Sequence, residues 1–327
     1  MRRLLLALSL LALPVLAEEP QWAELELLSE HPVEGMSGGN LSGLAWCQDA
    51  LWAVSDRVDD RLYRLSGEEG VWQAEPQGFV APPPPDIRLP WGLRMRNWVA
   101  GTLRGGHLDF EGLSCDAAGN RYLVSEARMS VLQLPVEGEP RWLNLPPGLL
   151  RQARASGMLL HYNSMFEGIA VDPSGERLWL AAERMRRGLL VLQRQRGNWR
   201  CGGSCVLLSE SGDAVGPEAL GGKVQPLDFA GLAFHQDKLY TLERQAHRIC
   251  RRSLSDARVE RCWSFAAVAM EEPRRYPVAY GMAEALWVDK DGAWVGIDNG
   301  RFSRADGESR PVLWRFAAPR GGWGSSK

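Results

Sequence analysis

Three glutamates in this chain share one local setting. Glu111, Glu167 and Glu284 each stand directly before a small residue, Gly112, Gly168 or Ala285, that opens a short apolar segment. Five further acids, Asp56, Glu126, Glu183, Glu243 and Asp298, each close the apolar segment that follows. Arg57, Arg128, Arg184 and Arg244 come just after four of those five. Carboxylates brought together repel one another, and the repulsion is relieved by a cation, by protons or by arginines. A hard cation held by oxygen ligands suits Ca2+, which accepts roughly six to eight oxygens in flexible geometry. The expected arrangement is therefore a metal set of Glu111, Glu167 and Glu284 with Asp56, Glu126, Glu183, Glu243 and Asp298 around it. Such a cation would polarise a bound substrate and activate water, while Arg57, Arg184 or Arg244 would hold an anionic group. Arginine pairing alone, locking the elements together, is the purely structural alternative. His161 and Asn163 precede Glu167 closely and join the substrate-binding candidates.

Other reactive residues carry less. Gly35-Met36-Ser37-Gly38-Gly39 fits G-x-S-x-G, but a nucleophile elbow needs a strand before it and a helix after it. Asn40 instead leads straight into the apolar segment at Leu41, so Ser37 is not expected to be a nucleophile. His31, His107, His235 and His247 have no mutual spacing that suggests metal ligands.

The elements that position the acids come from one recurring phrase. It reads LSGLAWCQDALWAVSDR from Leu41, DFEGLSCDAAGNRYLVSEAR from Asp109, MFEGIAVDPSGERLWLAAER from Met165, DFAGLAFHQDKLYTLERQ from Asp228 and MAEALWVDKDGAWVGIDNG from Met282. Each copy is a small residue, a short apolar strand, a turn rich in Asp, Gly, Asn or Gln, a second strand and then the acid. Measured between Gly43, Gly112, Gly168, Gly231 and Ala285, the copies are 69, 56, 63 and 54 residues apart. Periods of this size with several strands each predict an all-β chain folded as a β-propeller, because a four-stranded blade cannot bury its faces alone. Five copies predict five blades; a sixth would need a copy that is not visible. Trp22 to Ser29 is expected to close the ring as the outer strand of the last blade, removing an open edge. One helical turn or two is expected within Pro147 to Leu160, and the tryptophans are expected to fill the wedges between sheets. In an antiparallel pair, the start of one strand lies beside the end of the next. Both sets of acids should therefore sit on one face of the disc, with the glutamates at the channel mouth.

At these phrases the sequence resembles the phytase-like family, also described as having esterase-like activity of phytase, a group of mostly bacterial exported β-propellers. The resemblance is carried by Asp109-Phe110-Glu111-Gly112-Leu113, by Asn163 ahead of Phe166-Glu167-Gly168-Ile169, by Asp172-Pro173-Ser174-Gly175, and by Glu183-Arg184. It implies hydrolysis of phosphate or carboxylic esters. The chain departs from the acidic pattern at Ser42 and Ala230, which stand where other copies have glutamate. The alternatives are a non-catalytic binding or scaffold propeller and a sugar-lactone hydrolase, since fold does not fix function.

Composition sets the compartment and limits the partners. The chain has 327 residues, 45% apolar and 24% charged, with 38 basic against 40 acidic side chains. That balance offers no broad basic surface for a nucleic acid or an anionic membrane. Arg2 and Arg3 before the apolar run Leu4 to Leu16, then Ala17, have the order of a secretory signal peptide, with cleavage expected after Ala17. Residues 18–327 are then one propeller domain with no membrane-spanning stretch, exported to the periplasm if the source is Gram-negative and secreted otherwise. Its partner would be a small anionic or ester substrate, or an unidentified binding partner. In an oxidising compartment six cysteines favour disulfides. Cys250 and Cys262 flank Asp256 symmetrically, as across a hairpin; Cys201 and Cys205 can close a small loop; Cys47 and Cys115 remain as the third pair.

Overall fold

All five copies form antiparallel strand pairs in the computed structural model, which describes residues 22–36, 40–85, 107–161, 164–278 and 280–324. The segment Met1 to Ala17, Ser37 and Asn163 lie outside the described residues. The pairs are Gly43–Cys47 with Ala50–Val54, Phe110–Cys115 with Arg121–Ser125, Phe166–Val171 with Arg177–Ala182, Gly231–His235 with Lys238–Glu243, and Ala283–Asp289 with Gly292–Ile297. Their turns follow from the residues found there. Gln236 and Asp237 both take positive φ, 46° and 55°, which a two-residue hairpin matching the strand twist requires. Asp172 instead folds its turn by accepting from the backbone N–H groups of Glu176 and Arg177, each at 2.9 Å.

Further antiparallel strands extend each pair outward, as Arg61–Ser66 and Trp72–Gly78 do in the first copy and Arg248–Arg252 and Val259–Ser264 do in the fourth. The first strands of the copies touch in sequence, and that of the fifth touches that of the first, closing a cycle. The small residue at each strand start permits this approach. A Cβ on Gly43 would lie 2.7 Å from Leu113 N, and one on Gly168 would lie 3.1 Å from Leu232 N.

Alternation along each strand distributes the core. Leu44 packs toward the fifth copy with Ala285 and Leu313, whereas its neighbour Ala45 packs toward the second with Phe110 and Leu123. Leu180 likewise faces the second copy, and Trp179 and Ala181 face the fourth. Every boundary between successive copies is filled in this way, and Trp179 and Trp263 are wholly buried.

Closure differs in detail from the expected Trp22 to Ser29. The strand that completes the last sheet is Leu27–Glu34, antiparallel to Val312–Ala317. Ala23–Glu24 runs parallel to Trp263 and Ser264 in the preceding sheet. Leu25 is buried with Trp263 and Phe265, which draws the chain across from one sheet to the other. Val33 and Glu34 then pair in parallel with Trp72 and Gln73, joining the last sheet to the first. The expected helical turns are present as Gly148–Ala155, with Leu149 and Ala153 buried. No helix among the described residues is long and apolar enough to cross a membrane.

All three cysteine pairs are disulfides. Cys250 and Cys262 are direct cross-strand partners with Cα atoms 4.0 Å apart. Cys47–Cys115 joins the first strands of two successive copies, at the ends opposite the glutamates.

Candidate functional site: an acidic axis

The strand ladder slips by one residue at each of the three glutamates. Phe110 opposes Ser125 and Gly112 opposes Val124, which leaves Glu111 as the extra residue. Glu167 and Glu284 occupy the same position between Phe166 and Gly168 and between Ala283 and Ala285. A bulge of this kind re-aims the side chain it leaves unpaired. The copies without the glutamate start regularly: Ser42 N donates to Val54 O at 3.0 Å, and Ala230 N donates to Leu242 O at 2.9 Å. Glu111, Glu167 and Glu284 meet, with Ser42, around one cavity of about 10 Å3 between the first strands. That is space for about one water.

The surrounding charges divide the ring into two sides. On one side Arg244 reaches across copies: its guanidinium pairs with Glu183 and with Glu284, and its Nε lies 3.5 Å from Asp228 Oδ2. Glu183, fully buried, also pairs with Arg184 Nε at 3.2 Å. Arg244, which follows Glu243 in the sequence, thus also reaches Glu284 of the expected metal set. The fourth copy carries Ala230 at the position of the glutamates, and Arg244 pairs instead with the bulge glutamate of the fifth. Burial nevertheless pushes Glu284 up to about 8 and Asp228 to about 7, despite the opposing pull of Arg244. Glu243 belongs to a separate cluster. It is bound by Arg187 Nη1 at 3.0 Å, Arg248 Nε at 2.7 Å and Arg252 Nη2 at 2.9 Å. Burial alone would raise its carboxyl, but the three guanidiniums hold it at about 2.

On the other side the acids outnumber their cations. Asp56, Asp109 and Glu111 each place one carboxylate oxygen within 4.8 Å of the others. Arg57 Nε sits 3.1 Å from Asp56 Oδ2. Burial first, then Glu167, Asp109 and Asp56, holds Glu111 well above the ordinary carboxylate range. Glu126 is raised by burial and by Asp109 and Glu183. Glu167 is raised by burial and by Glu183, Glu126 and Glu284, with Arg244 opposing. Asp298 closes the ring toward the first copy, accepting from Asn40 Nδ2 at 3.2 Å and Gly300 N at 2.7 Å.

Asp56, Asp109 and Glu111 fit a hard cation. Oxygens on opposite sides of Ca2+, each about 2.4 Å from it, lie at most about 4.8 Å apart, and all three donors are carboxylates. Glu167 and Glu284 share the axial cavity with Glu111 but are not in this convergent group. His161 is exposed and makes no described contact with the ring.

Sequence reasoning overlooked Asp109, Asp228 and Asn40. All three stand three residues before the small residue of their copies, where the other two copies have Met165 and Met282. The repeat thus contained a third polar column. Asn40 and Asp109 both adopt positive φ, 65° and 55°, a conformation that these short polar residues tolerate.

A closed cycle of radial sheets with acids gathered at its axis defines a β-propeller. Residues 36–245 match the phytase-like family, described as esterase-like activity of phytase, and the chain belongs to that family. Among solved structures, the chain is similar to Myxococcus xanthus glutaminyl cyclase, with 12% identity, a TM-score of 0.50 and coverage of 91% of this chain and 97% of that one. It is also similar to the PQQ-bound aldose sugar dehydrogenase of Streptomyces coelicolor, with 13% identity, a TM-score of 0.46 and coverage of 91% and 99%. The likeness to the glutaminyl cyclase, at 12% identity, concerns the fold alone. No curated protein matches the sequence significantly.

Proposed function

We propose that the protein is an exported five-bladed propeller that hydrolyses carboxylic or phosphoric esters at the acidic end of its axis, with Ca2+ held by Asp56, Asp109 and Glu111. The observation that carries this reading is the convergence of those three carboxylates on the side of the ring that Arg244 does not reach. When bound, the cation supplies Lewis-acid polarisation of the ester. In this reading Arg57, beside Asp56, meets the anionic part of a substrate, and Glu167, a carboxyl raised by burial, holds a proton beside the reacting group. Family membership supports ester chemistry, and the sugar-lactone reading uses the same residues.

The exported protein should hydrolyse at least one member of a panel of p-nitrophenyl carboxylates, p-nitrophenyl phosphate and sugar lactones. Activity should be lost with EDTA, restored by Ca2+, and reduced at least about 100-fold in Glu111→Gln. Activity insensitive to EDTA and to this substitution contradicts the reading.

The ion pairs of Arg244 favour a second reading, a binding or scaffold propeller with a structural axis, because they join three successive copies without any ligand. Inactivity across the panel, together with no response to Ca2+, selects it.

A further inference from the structure

A pocket of about 190 Å3 lies between the fourth and fifth copies, outside the acidic ring. Chain connectivity brings it to the same end of the fold, since Gln245 follows Arg244 and Met282 and Ala283 precede Glu284. Its apolar lining includes Met270, Met282, Ile297 and Trp314. The Trp314 indole N–H is already engaged by Glu30 Oε2 at 2.7 Å, so the ring contributes apolar surface to the pocket.

Polar groups without protein partners face this surface. The Tyr276 hydroxyl is buried and has no hydrogen-bond partner among the described residues. The Gln245 carboxamide and the His247 imidazole make no side-chain hydrogen bond among the described residues, and His247 is held edge-on to Phe265 at 5.7 Å. A buried hydroxyl is normally satisfied, so the open Tyr276 hydroxyl, with the half-buried Gln245 and His247 side chains around the same cavity, points to a ligand that satisfies them. Charge distinguishes the neighbouring arginines. Arg274 is committed to Glu30 at 2.8 Å and to Glu271, whereas Arg275 is exposed at the rim and has no ion pair among the described residues. Burial holds His247 down at about 4, so at neutral pH it offers hydrogen bonds and no charge.

We propose that this pocket binds a small carboxylate bearing a single six-membered ring, with the ring against Met270, Met282, Ile297 and Trp314 and the carboxylate at Arg275. A cavity of roughly 150 Å3 admits benzene, so the available volume matches one ring and leaves little for a second. Gln245, His247 and Tyr276 supply donors and acceptors for ring substituents or for the carboxylate. The proposal requires neither hydrolysis nor a bound cation.

The test is calorimetric titration of the full exported chain, dialysed against EDTA, with sodium benzoate and, separately, benzyl alcohol. Benzoate should bind saturably at roughly millimolar concentration or below. Met270→Trp should abolish binding by filling the pocket. Arg275→Gln should weaken benzoate about fivefold while leaving benzyl alcohol within about twofold. Both substitutions are at exposed positions, and an unchanged melting temperature confirms folding. Absence of saturable benzoate binding, or equal binding by both variants, overturns the proposal. Benzoate binding without ester hydrolysis leaves this pocket standing and removes the hydrolase reading; the converse result removes the pocket and leaves the hydrolase.

Discussion

Arg244, at the end of the second strand of the fourth copy, forms an ion pair with Glu284 at the bulge of the fifth. The fourth copy thus contributes a cation to the axis where three other copies contribute an anion. Through Glu183 and Asp228 the same guanidinium also ties the third copy to the fourth. One side of the ring therefore carries its own cation, and the divalent ion we propose belongs to the other.

Replacing Arg244 with methionine leaves Glu183, Glu284 and Asp228 buried without this partner. We expect a loss of about 3–5 kcal/mol in urea unfolding at neutral pH. Adding Glu284→Gln should recover part of the loss, with a coupling energy of about 1 kcal/mol or more. Additive effects would show that the pair contributes no interaction of its own.

The axis also predicts a pH dependence on the alkaline side. Glu284 and Asp228 have folded values of about 8 and about 7, above the roughly 4 expected in the unfolded chain. Groups raised on folding contribute stability that is full below the unfolded value and lost as pH rises through the folded one. The cation-free protein should therefore melt at progressively lower temperature from about pH 5 to 8.5. A melting temperature that rises over this interval contradicts the assignment.

Glu243 acts in the opposite direction. Its folded value of about 2 lies below the unfolded value of about 4.5, so its contribution is present above pH 4.5 and is lost as pH falls toward 2. Glu243→Gln leaves Arg187, Arg248 and Arg252 facing one another and should cost about 3–5 kcal/mol near neutrality. It should also flatten the acid limb of the stability profile, which thermal melts from pH 2 to 5 will record.

The two longer disulfide loops should differ in their effect. Cys47–Cys115 spans 68 residues and Cys250–Cys262 spans 12. On chain-entropy grounds, replacing the first pair with serine should cost about 4 kcal/mol and the second about 3 kcal/mol. Denaturant titration of the two double mutants checks the order.

Strand pairs, copy boundaries, disulfides and the meeting of Glu111, Glu167 and Glu284 were all legible in the sequence, because a repeat places equivalent residues at equivalent points around an axis. Three features were less visible. The bulges at the glutamates depend on how one strand registers against its partner, which residue type alone does not reveal. The inward reach of Arg244 depends on the length of a side chain crossing between copies. The crossing of the chain near Leu25 was hidden because burial in one sheet competes there with pairing in the next. Asp109 could have been found by following the column three residues before each small residue.

The central claim is that Asp56, Asp109 and Glu111 hold a divalent cation. Its most direct test is equilibrium dialysis with calcium, followed by elemental analysis, for the exported protein and for Glu111→Gln. The account predicts one calcium ion per chain at saturation in the exported protein, with affinity reduced at least about 100-fold in the variant. Absence of stoichiometric calcium in the exported protein, or unchanged binding in Glu111→Gln, would contradict it.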